Sequence, residues 1–340
     1  MFYMRKLLND KWKLFISILN YLGNSMKISV TVPCFNQKDY IGECLESILT
    51  QEVKADLEII VGDDCSTDGT AEIINDYQLR YPLIIKAILR NKNIGAVNNF
   101  CDLIKHCTGG YIAHLDGDDL MLPGKLAKQV RFLELNSKYV AVTHNMLVFE
   151  EKENTSEWLY NSNPIKEKLT INDIVANGAG FCNSSKMYRR SGVDNLSDLV
   201  LPTTIIADWA LHIMNARHGC FGYINEALGK YRRTDSSTVR VNANKVDLIL
   251  TDHLKILEIA SLYPEVNQAA IKKGYARVYY ERAARHLDQG NISRFKSCIN
   301  ESYSYMRINT KQALLHYFVN FNLLLWLGPK IYWFFKRKQI

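Results

Sequence analysis

The sequence predicts an α/β fold, a mostly parallel sheet with helices on its faces, followed by a helical region. Three observations carry this. From residue 27 to about 136, short apolar runs alternate with helical stretches, the pattern of strand–helix–strand units. Polar and acidic motifs fall at the carboxyl ends of those runs, where open α/β sheets bind ligands. Apolar residues make up 47% and charged residues 23% of the 340, a balance that supports a substantial buried core rather than disorder.

The elements follow in order. "KISVTVP" (27–33) is a strand, "YIGECLESILTQ" (40–51) a helix, "LEIIVGD" (57–63) a strand and "DGTAEIINDYQLRY" (68–81) a helix. "LIIKAIL" (83–89) is a strand, "AVNNFCDLIKHC" (96–107) a helix, "YIAHLD" (111–116) a strand and "PGKLAKQVRFLELN" (123–136) a helix. A less regular part spans about 145–240, with polar loops such as "EEKENTSEW" and "YNSNP" and strand signals around "FGYI". Helical text resumes in "KVDLILTDHLKILEIASLY" and "YARVYYERAARHLDQG", where Gly290 is a helix stop. The expected organisation is an extension at 1–25, a catalytic domain at 26–240, a helical appendage at 241–312 and a terminal segment at 313–340.

The net charge of +7 belongs to the two ends, with +3 in residues 1–25 and +4 in residues 313–340. A neutral body argues against nucleic acid as a partner, since tracking phosphates requires basic charge on the folded surface. Both basic ends are rich in Trp, Phe, Tyr and Leu, which favours an anionic membrane surface. The first is a basic amphipathic helix with Leu8, Trp12, Phe15 and Leu19 on one face, not a secretory signal; Met26, directly before the first strand, is an alternative start. The last is broken by His316, Asn320, Asn322 and Gly328-Pro329-Lys330, whereas a spanning helix needs roughly 20 largely apolar residues, so it is expected to lie in the interface. The cysteines show no Cys-x-x-Cys pair or zinc spacing and fall mostly inside apolar runs, which implies a reducing compartment.

Three strand ends carry the chemistry. In "VTVPCFNQ" the chain turns after Pro33 through Asn36, a feature that is by itself only a turn. In "IIVGDDCSTDGT" a strand ends at Asp63-Asp64; Thr67 or Asp68 can cap the next helix, while Asp64, at the strand tip, can accept hydrogen bonds from a ligand such as a base imide. In "HLDGDDL", Asp116 and Asp118 flank Gly117, which lets the turn bend so that both carboxylates face one hard cation, Mg²⁺ or Mn²⁺. A calcium loop fails, because Leu120, Met121 and Leu122 come next instead of further oxygen ligands. The plainer alternative is a solvated acidic turn, in which Asp119 caps the next turn of the chain.

Together these stretches, from about Ile28 to Arg233, resemble the family 2 glycosyltransferases of the GT-A fold. The resemblance implies nucleotide-sugar binding by Pro33, Asn36, Asp64, Asn93, Gly95 and Asp116, with Asp118 and Asp116 at a metal, Mn²⁺ or Mg²⁺. Where many members carry Arg-Asn, this chain has Phe100-Cys101. "ADWALHIMNARHG" is similar to the family's Glu-Asp motif with Ala207 in place of the Glu, which makes Asp208 the general base and Trp209 an acceptor-binding residue; read alone, Asp208 is a helix N-cap. In "GKYRRTDSS", Arg232 or Arg233 can meet the donor's diphosphate, while Thr234 stands where a histidine often follows.

The implied activity is inverting transfer from a nucleoside-diphosphate sugar, with UDP expected, to a hydroxyl of a lipid-linked saccharide in O-antigen or capsule assembly. A peripheral position on the cytoplasmic face of the cytoplasmic membrane would suit it. A polyprenyl-phosphate glycosyl synthase is a close variant. A sugar-nucleotide nucleotidyltransferase should show a Gly-rich, Arg-containing loop where this chain has "PCFNQKDY", and a non-catalytic binding protein should lack the acidic turn or the base.

Overall fold

A computed structural model describes residues 26–150, 156–163, 165–192, 203, 208–234 and 243–320. Its first half is the alternating unit expected: β1 (Lys27–Cys34), α1 (Ile41–Leu49), β2 (Asp56–Asp63), α2 (Thr70–Arg80), β3 (Ile85–Leu89), α3 (Ala96–His106) and β4 (Tyr111–His114). These four strands pair in parallel in the order β3-β2-β1-β4, with Val32 opposite Val61 and Val30 opposite Ala113. Val30, Val32, Ile59 and Val61 are fully buried, as expected of strands covered on both faces.

Beyond β4 the parallel sheet continues as a mixed one. The chain adds β5 (Leu120–Met121), α4 (Lys125–Leu135), β6 (Tyr139–Glu150), β7 (Trp158–Leu159), β8 (Lys168–Leu169), α5 (Ile171–Asn177), β9 (Met187–Arg189), α6 (Asp208–Ala216) and β10 (Cys220–Arg233). The sheet continues β4-β9-β6-β10-β5, with β9 antiparallel to both neighbours and β6 parallel to β10. A strand reached by a long excursion rather than a helical crossover is free to run either way. β6 was hidden in the sequence because Thr143, His144 and Asn145 interrupt its apolar run, yet all three are buried.

The helical region comprises α7 (Ala243–Ser261), α8 (Gln268–Asp288), α9 (Ile292–Tyr305) and α10 (Thr310–Asn320). Gly290, at φ +73°, follows α8, and the Asn291 side chain accepts from Arg294 N at 3.1 Å to cap α9. One apolar cluster runs from α5 and α6 into α7 and α8, joining Ile174, Val175 and Trp209 to Leu257, Ile271 and Val278. Close approach there depends on Gly274, where a Cβ would meet Val175 O at 2.9 Å and Leu257 Cδ2 at 2.7 Å. The basic extension at 1–25 and residues 321–340 of the terminal segment lie outside the described residues; 313–320 fall within α10. Among the described residues no helix is long and apolar enough to cross a membrane.

Candidate active site

The strand ends of β1 and β2 are laced together by their own turns. Asn36 sits at φ +51° and Cys65 at φ +64°, a region that Asn tolerates through local hydrogen bonds. Asn36 Oδ1 accepts from Thr67 N at 2.9 Å, Asn36 N donates to Ser66 Oγ at 2.8 Å, and Asp68 accepts from Lys38 N at 3.0 Å. Asp64 is buried: one carboxylate oxygen accepts from Ile94 N and the other from Gly95 N, each at 2.8 Å, while Asn93 Nδ2 donates to Asp64 O at 3.0 Å. Asp64, Asn93 and Gly95 are thus assembled into one unit, and the carboxylate expected to meet a base supports the turn that precedes α3.

The acidic turn lies beside the end of β1. Gly117 N donates to Pro33 O at 3.2 Å, and a Cβ at Gly117 would meet Gln37 Oε1 at 2.4 Å and Cys34 Cβ at 2.9 Å. The Asp116 carboxylate receives His114 Nε2 at 3.0 Å and Ser184 Oγ at 3.1 Å, with Asn183 Nδ2 at 3.4 Å from both oxygens. Burial works against its charge, but His114, Lys186 and Asn183 bring Asp116 down to about 2. Asp118 goes the other way: burial, then the charge of Asp116, raise it to about 6. Asp119 is fully buried and accepts from Arg232 N at 2.9 Å, so it braces β10 against the turn.

Beneath this turn is a buried polar cluster that sequence inspection missed. Lys125 and Lys186 are both fully buried, and burial depresses each ammonium to about 8. Lys125 Nζ donates to Ser184 O at 2.6 Å. Lys186 donates to Asn183 Oδ1, which turns the amide's Nδ2 toward Asp116, and lies 3.5 Å from His212 Nε2 on α6. Burial, reinforced by the lysine, lowers the pKa of His212, and burial also holds His114 below its usual value against the pull of Asp116.

Asp208 opens α6, and its Oδ1 accepts from the adjacent Trp209 N at 2.8 Å. Its charge, followed by that of Asp116, favours protonated Lys186 against the effect of burial. Trp209 is a correction. Its ring is 4% exposed, Nε1 donates to Ile174 O at 2.9 Å, and it packs against His253 and Arg277 of the helical region, so it presents no face to an acceptor. Arg232 is buried and committed to the fold: Nε donates to Asp118 O at 2.9 Å, Nη2 pairs with Glu43 at 2.5 Å, and its guanidinium lies over Tyr40 and Phe149. Arg233 is exposed and stacks on Trp158 at 5.4 Å.

The glycosyl transferase family 2 profile matches residues 29–197. The putative glycosyltransferase EpsE of Bacillus subtilis is 36% identical over 224 residues, covering 64% of this chain and 77% of EpsE. The chain belongs to glycosyltransferase family 2. An uncharacterised Mycobacterium tuberculosis protein is 32% identical over 210 residues, covering 61% of this chain; the match spans 58% of that relative's length. Among solved structures, S. aureus TarS in complex with UDP-GlcNAc superposes with a TM-score of 0.62 at 18% identity, covering 87% of each chain. The mannosyltransferase PcManGT of Pyrobaculum calidifontis, with GDP-Man and Mn²⁺, does so at 0.56 and 14% identity, covering 89% of this chain and 81% of that one. At these identities the structural likeness shows the GT-A fold.

The acidic turn offers two carboxylates, those of Asp116 and Asp118, rather than a closed shell of ligands. Among the described residues no group of three or more His, Cys, Asp or Glu side chains forms a metal centre. The donor set at Asp116 and Asp118 is hard oxygen only, and the mutual effect of the two carboxylates on Asp118 is what a cation would relieve, which fits Mg²⁺ or Mn²⁺ sharing its shell with phosphates.

Proposed function

We propose that this protein is an inverting glycosyltransferase that moves a sugar from a nucleoside-diphosphate sugar, preferentially a UDP-sugar, to a hydroxyl of a lipid-linked saccharide in surface-polysaccharide assembly. The observation that carries the proposal is the acidic turn beside the end of β1, where Asp116, held by His114 and Ser184, and Asp118 stand two residues apart in a chain that matches the family 2 profile. Sugar transfer calls for a diphosphate held at one carboxylate pair and a base at the acceptor oxygen.

Asp208 takes the proton of the acceptor hydroxyl as that oxygen bonds to the anomeric carbon and the bond from this carbon to the diphosphate oxygen breaks. A single displacement inverts the centre. Asp116 and Asp118 would hold a divalent cation, Mn²⁺ or Mg²⁺, and bound there it would offset charge on the leaving diphosphate. Arg233 supplies the exposed guanidinium for phosphate oxygens, while Arg232 holds the acidic turn in place. The Asp64–Asn93–Gly95 unit shapes the base pocket with Pro33 and Asn36. TarS in complex with UDP-GlcNAc supports a UDP-sugar donor, and the putative teichuronic acid biosynthesis glycosyltransferase TuaG of Bacillus subtilis, 28% identical over 218 residues, supports a polysaccharide acceptor. The basic aromatic ends support a peripheral place on the cytoplasmic face of the membrane.

The test is a donor panel of UDP-, GDP- and dTDP-sugars with Mn²⁺, read by nucleotide release and by thermal shift, in the parent chain and in Asp118→Asn and Asp208→Asn. Stabilisation by a UDP-sugar is expected in the parent and in Asp208→Asn. Nucleotide release is expected to fall by about a hundredfold or more in both variants. Full release from Asp118→Asn in chelator would sink the mechanism. Sedimentation with anionic liposomes checks the membrane placement.

A further inference from the structure

An aromatic ledge stands on β7 beside the candidate site. Trp158 of β7 and Tyr160, in the bend just after it, are 39% and 43% exposed. The support is well made. Trp158 pairs with Val148 of β6, Tyr160 N donates to Met146 O at 2.8 Å, and Asn161 and Asn145 bond each other at 2.9 and 3.0 Å. Glu157 pairs with Lys230 of β10 at 2.5 Å. Across the sheet, the ring of Tyr231 meets that of Tyr160 edge-on at 6.1 Å, and Arg233 covers Trp158.

We infer that Trp158 and Tyr160, backed by Tyr231 and Arg233, form the acceptor subsite and bind the sugar ring that receives the transfer. The inference rests on the sugar-transfer function proposed above. Flat aromatic faces with polar tips match a pyranose, which shows a face of C–H bonds and a rim of hydroxyls. The location fits as well: Tyr231 directly precedes Arg232, whose N donates to Asp119 at 2.9 Å and whose Nε donates to Asp118 O at 2.9 Å, so the ledge borders the acidic turn. The ledge fills the role expected of Trp209, which is buried on the far side of α6.

The experiment measures, on the full chain with UDP and Mn²⁺ present, binding of p-nitrophenyl glycosides of glucose, galactose, mannose and N-acetylglucosamine by saturation-transfer NMR, together with UDP affinity by calorimetry. At least one glycoside is expected to bind, and Trp158→Ala and Tyr160→Ala are each expected to weaken it by about tenfold. Trp158→Phe, which keeps an aromatic face beneath Arg233, should stay within a few-fold of the parent, and UDP affinity should hold in this variant and in Tyr160→Ala. Unchanged glycoside binding in both alanine variants overturns the inference while leaving the sugar-transfer function standing. So does a parent that binds UDP but no glycoside, or loss of anionic-vesicle binding in the alanine variants with glycoside binding intact, which would make the ledge a membrane contact. A parent that fails to bind UDP removes the sugar-transfer function, and this inference with it.

Discussion

Gly117 is where the acidic turn meets the end of β1, and the space around it is filled. In Gly117→Ala the new methyl would press on Cys34 Cβ at 2.9 Å, an atom fixed by its strand, and on Gln37 Oε1 at 2.4 Å. Overpacking of this kind costs about 1–3 kcal/mol and is relieved by moving the turn. UDP affinity in Mn²⁺, measured by calorimetry, is expected to fall by about tenfold with the chain still folded. Lys186 makes the complementary point. Lys186→Met keeps the bulk but leaves Asn183 without its donor and Asp116 and Asp208 without their shared cation. The expected loss is about 3 kcal/mol in urea unfolding, as when one partner leaves a buried charge cluster. A drop below about 1 kcal/mol would mean that the cluster is neutral and the ammonium unimportant. Neither residue's weight is written in its immediate neighbours. "NSSKMYRR" reads as a solvated basic stretch, because burial of a lysine depends on Asn183, His212 and Asp116 converging from three parts of the chain.

Among the elements, the β1–β2–β4 junction depends on one carboxylate. Glu58 on β2 pairs with Lys27 at 2.7 Å and accepts from Ser29 Oγ at 2.5 Å and Thr108 N at 2.6 Å. Burial alone would raise its pKa, but these partners lower it to about 2. The folded value lies below the unfolded one, so the stabilisation is fully present above the ordinary carboxylate range and is lost as pH falls toward 2. Its size is up to about 3 kcal/mol. Urea unfolding at pH 7 and pH 3 is expected to show a smaller loss on acidification in Glu58→Gln than in the parent; equal slopes would refute this. The alternating strands and helices around this junction were legible because each buries a continuous apolar run. β9, only Met187–Arg189, was too short to read, and β6 was masked by buried polar residues. Asp116 and Asp118 were legible as a strand-end pair. Trp209 was misplaced because adjacent helical side chains point about 100° apart, so a residue next to a candidate base faces elsewhere.

At the scale of the whole molecule, the helical region shares its core with the site. Trp209 follows Asp208 directly, donates to α5 and carries Arg277 of α8 over its ring at 4.9 Å, while Gly274 lets α8 approach the Val175 carbonyl. The helix that presents the candidate base is therefore held from behind by α7 and α8, and the two expected segments should unfold together. Trp209→Ala opens a cavity at that seam and is expected to cost about 3–5 kcal/mol. Trp209→Phe should retain most of the packing while losing the bond to Ile174 O. If the seam sets the position of Asp208, both variants lower sugar transfer more than they weaken UDP binding, because the acidic turn belongs to the other face of the site. Loss of UDP affinity in parallel with transfer would instead mean that the helical region supports the fold without orienting the base. Two separate urea transitions in the parent would show that the shared core does not couple the halves.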